Sequence, residues 1–478
     1  MKFKPSVVVL IMAAIILAGC ATYYQKTLRF QTYIMEGEIE KAQQWLSKND
    51  KDKEGKNKLL YHMYRGWVSW MMGDYNSSNE DLETADLLIE DFRKQIGYEA
   101  FALISNPGVK PYQAEDFEKV MVNYFKALNY IQLGNYEGAI VEARRITIKL
   151  QKLNSKYKDH KNRYSDDAFA HVIIGMLYDA DGDYNNAFIA YRNALEAYEN
   201  IYLDNFGLAA PLQLKKDILR TAYLTGFHDE VDHYEQKFGI QYEKDDPDSG
   251  DLVFIWQNGF GPVKSEWSIA FTMIPGDAGF VTYTNEEYGF TFPFYIGDRS
   301  PGEQAQLRDL SILRVAFPKY VERVPVFTEA SLNVESQTLP LELAENINNI
   351  AFKTLHDRML REFANALLRV ATKRAMEVAV REATKEQSEE NKLDAGDIAP
   401  AAITILNAIT EKADTRNWQT LPHSIYYTRV KLPEGDHDIR LNTSNGQQTQ
   451  AHTITLNIRK RKTTFYVFQS LESHLPEQ

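Results

Sequence analysis

Few residues in this 478-residue chain are spaced for catalysis. Its one cysteine, Cys20, follows Leu17-Ala18-Gly19 at the end of an apolar run. That places the thiol for modification and leaves no second cysteine for a disulfide or a Cys-rich zinc module. Of ten histidines, the nearest pair is His228 and His233. They stand five apart, whereas ligands sharing a helical face need a step of about three or four. Ser155-x-x-Lys158 has the letters of a serine–lysine nucleophile pair, but it sits in a lysine-rich stretch without companion motifs. Gly259-Phe260-Gly261 is too short for a dinucleotide fingerprint and follows a strand-like run without opening a helix. No HExxH, GxSxG or Walker A pattern occurs, and no pair of carboxylates is singled out for acid–base work. The expectation is a protein that is not an enzyme, with no catalytic residues, metal ligands or cofactors.

Composition narrows the partners. Hydrophobic residues are 44% and aromatics 12%, enough to fold and to fill a sizeable core. Lys+Arg 54 against Asp+Glu 66 gives a net charge of −12, which disfavours nucleic acid.

The N-terminus carries an address. Lys2 and Lys4 precede an apolar run, Val7 to Ala18, that is short for a membrane span. With Leu17-Ala18-Gly19-Cys20 it resembles the lipobox of bacterial lipoproteins. The resemblance implies cleavage of residues 1–19 as a lipoprotein signal peptide and acylation of Cys20 (as in a palmitate-bearing anchor), which would fix the protein to a membrane. An ordinary secretory signal with a stray cysteine is the alternative. Ala21 follows the cysteine, not the Asp that resembles an inner-membrane retention signal. The expected location is therefore the outer membrane of a Gram-negative bacterium, on the periplasmic side.

From residue 20 to 242 the pattern is helical and repeats itself. Three windows superimpose: Gly66, Gly73-Asp74-Tyr75, Ser78, Leu82, Ala85; then Ala127, Gly134-Asn135-Tyr136, Ala139, Ala143, Ile146; then Gly175, Gly182-Asp183-Tyr184, Ala187, Tyr191, Ala194. In each, the later small and large residues lie 12, 16 and 19 positions after the first. Small residues let paired helices approach, and the glycine before each tyrosine ends one helix. Weaker copies flank these at Tyr33/Gly37/Ala42/Leu46 and Leu219/Gly226/Val231. The pattern resembles the tetratricopeptide repeat. That resemblance implies a solenoid with a concave, partner-binding face formed by Met63, Trp67, Trp70, Tyr124, Leu128, Ile131, Val172, Met176 and Asp179. The alternative is that these residues pack against the C-terminal half.

At Glu243 to Gly250 helical periodicity stops. Strand-like runs follow from 250 to 478: Leu252 to Trp256, Trp267 to Ile274, Tyr288 to Ile296, Ile312 to Phe317 and Val326 to Val334, then Ser424 to Leu432, Asp438 to Leu441, His452 to Ile458 and Thr464 to Gln469. A helical insertion, about 342–413, separates the two groups. The predicted fold is thus α+β and multidomain: a TPR-like helical solenoid, then an antiparallel β-sandwich-like module with a helical insertion. Arg459 to Lys462 forms a basic turn that would touch lipid phosphate or peptidoglycan carboxylate, or simply be a hairpin tip. Asp414, Arg416 and Trp418 form either a recognition corner or a pin holding the insertion to the sandwich.

LVFIWQNGFGPVK (252–264), VAFPKYVER (315–323), ADTRNWQTLP (413–422) and LPEGDHDIRL (432–441), with the lipobox and repeats, resemble a family of bacterial lipoproteins with tetratricopeptide repeats. ADTRNWQTLP is its most specific signature, and the family, uncharacterised in activity, implies a cell-envelope role by association. The expected function is a lipid-anchored periplasmic scaffold holding partners in peptidoglycan synthesis or outer-membrane assembly. Two alternatives stand beside it. One is an envelope hydrolase or glycan-active enzyme, with a site between the repeats and the β module. The other is a subunit of a secretion or surface-structure assembly.

Overall fold

A computed structural model describes residues 22–49, 51–94, 110–155, 164–244, 246–276, 279–287, 289–295, 297, 312–359 and 413–476. The leader with Cys20, Lys158, and most of the insertion lie outside the described residues.

Five turn glycines lay out the helical half. Gly37, Gly73, Gly134, Gly182 and Gly226 have φ between 71° and 86°, a left-handed conformation that other residues reach at a cost. Each joins a helical hairpin: α1 (Tyr23–Met35) with α2 (Ile39–Lys48), α3 (Lys58–Met71) with α4 (Tyr75–Lys94), α5 (Asp116–Gln132) with α6 (Tyr136–Asn154), α7 (Ala168–Asp181) with α8 (Tyr184–Ala197), and α9 (Leu212–Thr225) with α10 (His228–Phe238). At three of the five turns the side chain after the glycine caps the next helix, whereas Glu38 and Phe227 make no such bond. Asp74, Asn135 and Asp183 accept the backbone N–H of Ser77, Gly138 and Asn186 at 3.1, 2.9 and 3.1 Å. Successive hairpins touch in chain order, as in a solenoid.

The small residues bring paired helices into contact. A Cβ on Gly66 would stand 2.6 Å from Leu82, and one on Gly175 would stand 2.4 Å from the Tyr191 ring. Both contacts fall at the offset of 16 seen in the repeats.

The strands are β1 (Ser249–Asn258), β2 (Val263–Pro275), β3 (Phe280–Asn285), β4 (Phe290–Tyr295), β5 (Ile312–Val321), β6 (Glu329–Val334), β7 (Gln337–Pro340), β8 (Glu342–Asn346), β9 (Ser424–Pro433), β10 (Gly435–Ser444), β11 (Thr449–Ile458) and β12 (Thr463–Gln469). They form three sheets, ordered β12-β1-β9-β8, β11-β10-β6-β7 and β4-β3-β2-β5. Residues 347–359 form a further helix, α11.

The first two sheets pack face to face. Leu252, Phe254 and Trp256 of β1, with Val430 and Leu432, share a core with Leu332, Val334, Ile439 and Leu441. The opposite face of β1, Val253 and Ile255, joins the helices instead. All of β1 is buried, which explains an apolar run without alternation. The order of layers is solenoid, inner sheet, outer sheet.

Two details correct the sequence-based expectation. The sandwich is not wholly antiparallel, because β12 runs parallel to β1 from Asp251↔Thr463 to Gln257↔Gln469. The chain reaches β12 from the outer sheet, so no hairpin forces an antiparallel pair. Residues 342–346, expected in the helical insertion, form strand β8 on the edge of β9, with a bulge between Leu343 and Glu345. Pro433-Glu434-Gly435 joins β9 to β10 and carries the chain from the inner to the outer sheet.

Candidate functional site

The inward face of the solenoid is where the two halves meet, so the site is built from its residues outward. Met63, Trp67, Leu128, Val172 and Met176 are buried completely, and Trp70, Tyr124, Ile131 and Asp179 almost so. All eight apolar members belong to one continuous core with Val253, Ile255, Ala344, Ile347, Trp418, Leu421, Ile425 and Tyr427. The surface expected to await a partner thus holds the chain's own β module. The Trp67 ring meets Phe260 edge-on at 6.2 Å. Trp70 packs on Phe125 at 5.2 Å, and Phe125 on Trp418 at 5.7 Å. Tyr124 Oη accepts the Gln257 amide at 2.9 Å.

Asp179, the one charged residue among the nine, marks a buried ion network. Its Oδ2 lies 2.9 Å from Arg429 Nη2 of β9 and also pairs with Arg220 of α9. Arg429 Nε stands 3.0 Å from Asp217 of α9, and its Nη1 is 3.6 Å from Asp251 of β1. Lys431 Nζ pairs with Asp251 at 2.9 Å. Burial pushes the Asp217 carboxyl up to about 6, against the pull of Arg429. Burial also opposes ionisation of Asp251, but Arg429, Arg220 and Lys431 overcome it and hold that carboxyl low.

A second contact joins α5 to the strand and signature segments. Glu118 accepts the Trp418 N–H at 2.6 Å and the Glu115 N–H at 2.8 Å, and also takes the Tyr112 hydroxyl. Glu115 pairs with Lys264 of β2 and Arg358 of α11. Burial disfavours its charge, yet these cations bring its carboxyl down to about 2.

Three signature segments converge on Arg323, which is fully buried. Its Nε donates to Gly261 O at 2.8 Å, Nη1 to Gln31 of α1 at 3.2 Å, and Nη2 to Gln419 O. The guanidinium lies 5.1 Å from the Phe260 ring centroid. Gly259-Phe260-Gly261 is therefore a structural corner. Asp414 and Arg416 form the expected pair, at 2.8 and 2.6 Å. Arg416 also donates to Lys56 O and Asn57 of the solenoid. The pair thus ties the segment to the repeats, while Ala413 N–H and the Asn417 amide tie it to Glu266 and to Pro262 O of the β module.

A carboxyl pair also meets at this boundary. Asp167, the N-cap of α7, accepts Tyr164 Oη at 2.6 Å and Ala170 N–H at 2.7 Å. Glu345 of β8 accepts Tyr202 Oη at 3.0 Å. Burial raises both carboxyls above their ordinary range; Asp167 pushes Glu345 further up by its charge and a side-chain hydrogen bond, and Asp166 adds a smaller push on Asp167. Tyr198 Oη donates to Ala344 O at 2.7 Å beside them. The pair sits in a closed tyrosine cage with exposures of 6% and 2%.

Sequence reasoning missed Arg429, Asp217, Asp251, Arg323, Asp167 and Glu345. The available signal was charge within aromatic or β-branched runs, as in Tyr426-Tyr427-Thr428-Arg429-Val430. His228 and His233 lie on α10, and Ser155 follows α6, its hydroxyl donating to Lys152 O. Arg461 and Lys460 of the basic turn bind Pro247 O and Asp248.

No protein-family model matches this chain. No curated protein matches it either. Among solved structures, the apo form of RapI is similar with 15% identity and a TM-score of 0.32, covering 45% of this chain and 68% of its own. The TPR-like repeats of a Podospora anserina kinesin light chain align at 11% identity and a TM-score of 0.31, over 44% of this chain and 92% of that one. BtubC from P. vanneervenii aligns at 14% and 0.30, over 46% and 83%. Among the described residues, no helix is long and apolar enough to cross a membrane.

Proposed function

We propose that this protein is a non-catalytic scaffold of the bacterial cell envelope, anchored through acylated Cys20 at the periplasmic side of the outer membrane. The leader and the Leu17-Ala18-Gly19-Cys20 box support the anchor. One observation carries the scaffold reading: the solenoid's inward face is filled by β1, β9 and residues 413–422. The repeats then act as a rigid holder for the β module, and partners in peptidoglycan synthesis or outer-membrane assembly meet the surface left open. That surface is the outer sheet, where Ala451, Thr453, Thr455 and Asn457 of β11 are exposed.

In-cell photocrosslinking tests this. A crosslinker at Ala451 or Thr453 is expected to trap an envelope protein, and one at Trp70 only this chain. Adducts with other proteins from Trp70 alone would mean the groove opens to receive them. No adduct at any site would remove the scaffold. The hydrolase alternative draws on Asp167 and Glu345, but their cage is closed to substrate, and proton sharing is the chemistry that suits it.

A further inference from the structure

The first described residue already belongs to a helix lock. Thr22 caps α1: its Oγ1 accepts the Gln25 N–H at 3.2 Å, and Gln25 Oε1 accepts the Thr22 N–H at 2.8 Å. Tyr23 N–H donates to Thr415 Oγ1 at 2.9 Å. One turn on, Thr27 Oγ1 and Gln31 Nε2 reach Gln419 Oε1 at 3.2 and 3.1 Å, and Phe30 and Ile34 are fully buried. Helix α1 is part of the core and cannot swing away as a stalk.

Cys20 precedes Thr22 by two residues, a span of about 7 Å even when fully extended. An acyl group on that sulfur would leave no room for a water layer of protein size between body and bilayer. We infer that the protein lies against a phospholipid surface on one fixed face: the N-terminus of α1, the 51–57 segment and the 413–416 corner. This rests on the lipid-anchor reading above.

The three parts of that face are joined. Asn57 Nδ2 donates to Asp52 Oδ1 at 2.9 Å, and Arg416 Nη1 to Asn57 Oδ1 at 3.2 Å. Arg416 holds Asp414, one residue from the Thr415 that receives Tyr23. Lys26, Lys51, Lys53 and Lys56 are exposed here, against an exposed Glu54 and the half-buried Asp52 and Asp414, of which Asp414 is paired with Arg416. In a chain of net charge −12 this local lysine surplus suits anionic headgroup phosphates. The opposite end of the solenoid, α10, stands four hairpins away, on the order of 30–40 Å at ordinary helix spacing.

The test uses the full-length protein purified from bacterial membranes, with one added cysteine, Lys53→Cys or Asp232→Cys, carrying a fluorophore. It is reconstituted into phosphatidylethanolamine–phosphatidylglycerol vesicles containing spin-labelled lipid. The Lys53→Cys label should be quenched several-fold more than the Asp232→Cys label on α10. A long Gly/Ser linker inserted between Ala21 and Thr22 should erase the difference. Equal quenching without the linker, or stronger quenching on α10, overturns the fixed face. Mass spectrometry of the N-terminal peptide separates the two readings. An unmodified Cys20 removes the anchor and this inference together, whereas acylated Cys20 with equal quenching removes the orientation alone.

Discussion

The Arg429 guanidinium of β9 stands 2.9 Å from the Asp179 carboxylate of α7, and it reaches Asp217 of α9 at 3.0 Å. One strand residue therefore ties two successive hairpins to the inner sheet. Its three acidic neighbours are not equally provided for. Asp179 keeps Arg220 and Asp251 keeps Lys431, while among the described residues Asp217 keeps the Gln213 amide, at 3.1 Å, besides Arg429.

Replacing Arg429 by Ala should cost about 3–5 kcal/mol, because it strands a buried charge. Adding Asp217→Asn should recover most of that loss in urea unfolding at neutral pH. In the intact protein Arg429 holds down a carboxyl that burial raises to about 6; without Arg429 it rises further, and the single variant should regain stability as pH falls through that higher value. A double variant no more stable than Arg429→Ala would show that Asp217 is not the group left bare.

The Asp167–Glu345 pair predicts a pH dependence of opposite sign to ordinary acid denaturation. Burial raises both carboxyls, with a further push on Glu345 from Asp167 and on Asp167 from Asp166, so the folded protein binds a proton more tightly than the unfolded chain. Their contribution is fully present below the unfolded carboxylate range and is lost as pH rises through the folded pKa. The slope within that window is about 1.4 kcal/mol per pH unit for each proton held. Glu345→Gln should keep an acceptor for Tyr202 and flatten the profile. The check is the urea midpoint of wild type and variant across mildly acidic to mildly alkaline pH. Parallel curves would mean that the pair holds no shared proton.

The local parts of this architecture were legible and the non-local parts were not. The repeat offsets and turn glycines mark hairpins because φ > 0 and close helix approach are set within a few residues. The Asp74, Asn135 and Asp183 caps belong to the same local logic. Strand pairing is different. Glu342 to Asn346 has helix-forming composition, and only the free edge of β9 makes it a strand. Strands β3 and β7, six and four residues long, carry too little pattern to stand out. Inward positions of the solenoid could be named, but their occupant depends on a sheet folded from residues at least some 70 positions further along the chain. Arg323 and Gln419 find their buried partners only where three distant segments meet.

Trp67 and Trp70, suggested by sequence as binding residues, should behave as core. Truncating either to Ala is expected to cost about 3–5 kcal/mol, since both pack in the shared interior against Phe260 and Phe125. Thermal unfolding of the two variants measures it. A variant that kept the wild-type midpoint would place its indole outside the interior.

Gly66 and Gly175 occupy the same repeat position, yet their substitution should not cost the same. A Cβ at Gly66 would meet Cγ and Cδ2 of Leu82 at 2.6 and 2.7 Å, aliphatic atoms that a small rotation can move. At Gly175 it would meet Cδ1 and Cε1 of Tyr191 at 2.4 Å. That ring is fully buried, and its hydroxyl is held by Arg429 at 3.1 Å and reaches Asp179 at 3.4 Å. Moving it would disturb the ion network as well as the helix contact. Gly175→Ala should therefore cost about 3 kcal/mol, at the upper end of overpacking, and Gly66→Ala about 1 kcal/mol. Gly182→Ala is the control: no atom lies within 4 Å of its Cβ, and its φ of +86° sets a cost of about 1–2 kcal/mol without any clash. Urea midpoints of the three variants give the ranking, and combining Gly175→Ala with Tyr191→Phe tells which part of the cost is steric. If removing the hydroxyl leaves Gly175→Ala as costly as before, the ring itself is the obstacle; if the cost falls, the anchoring of that ring by Arg429 is what prevents relief.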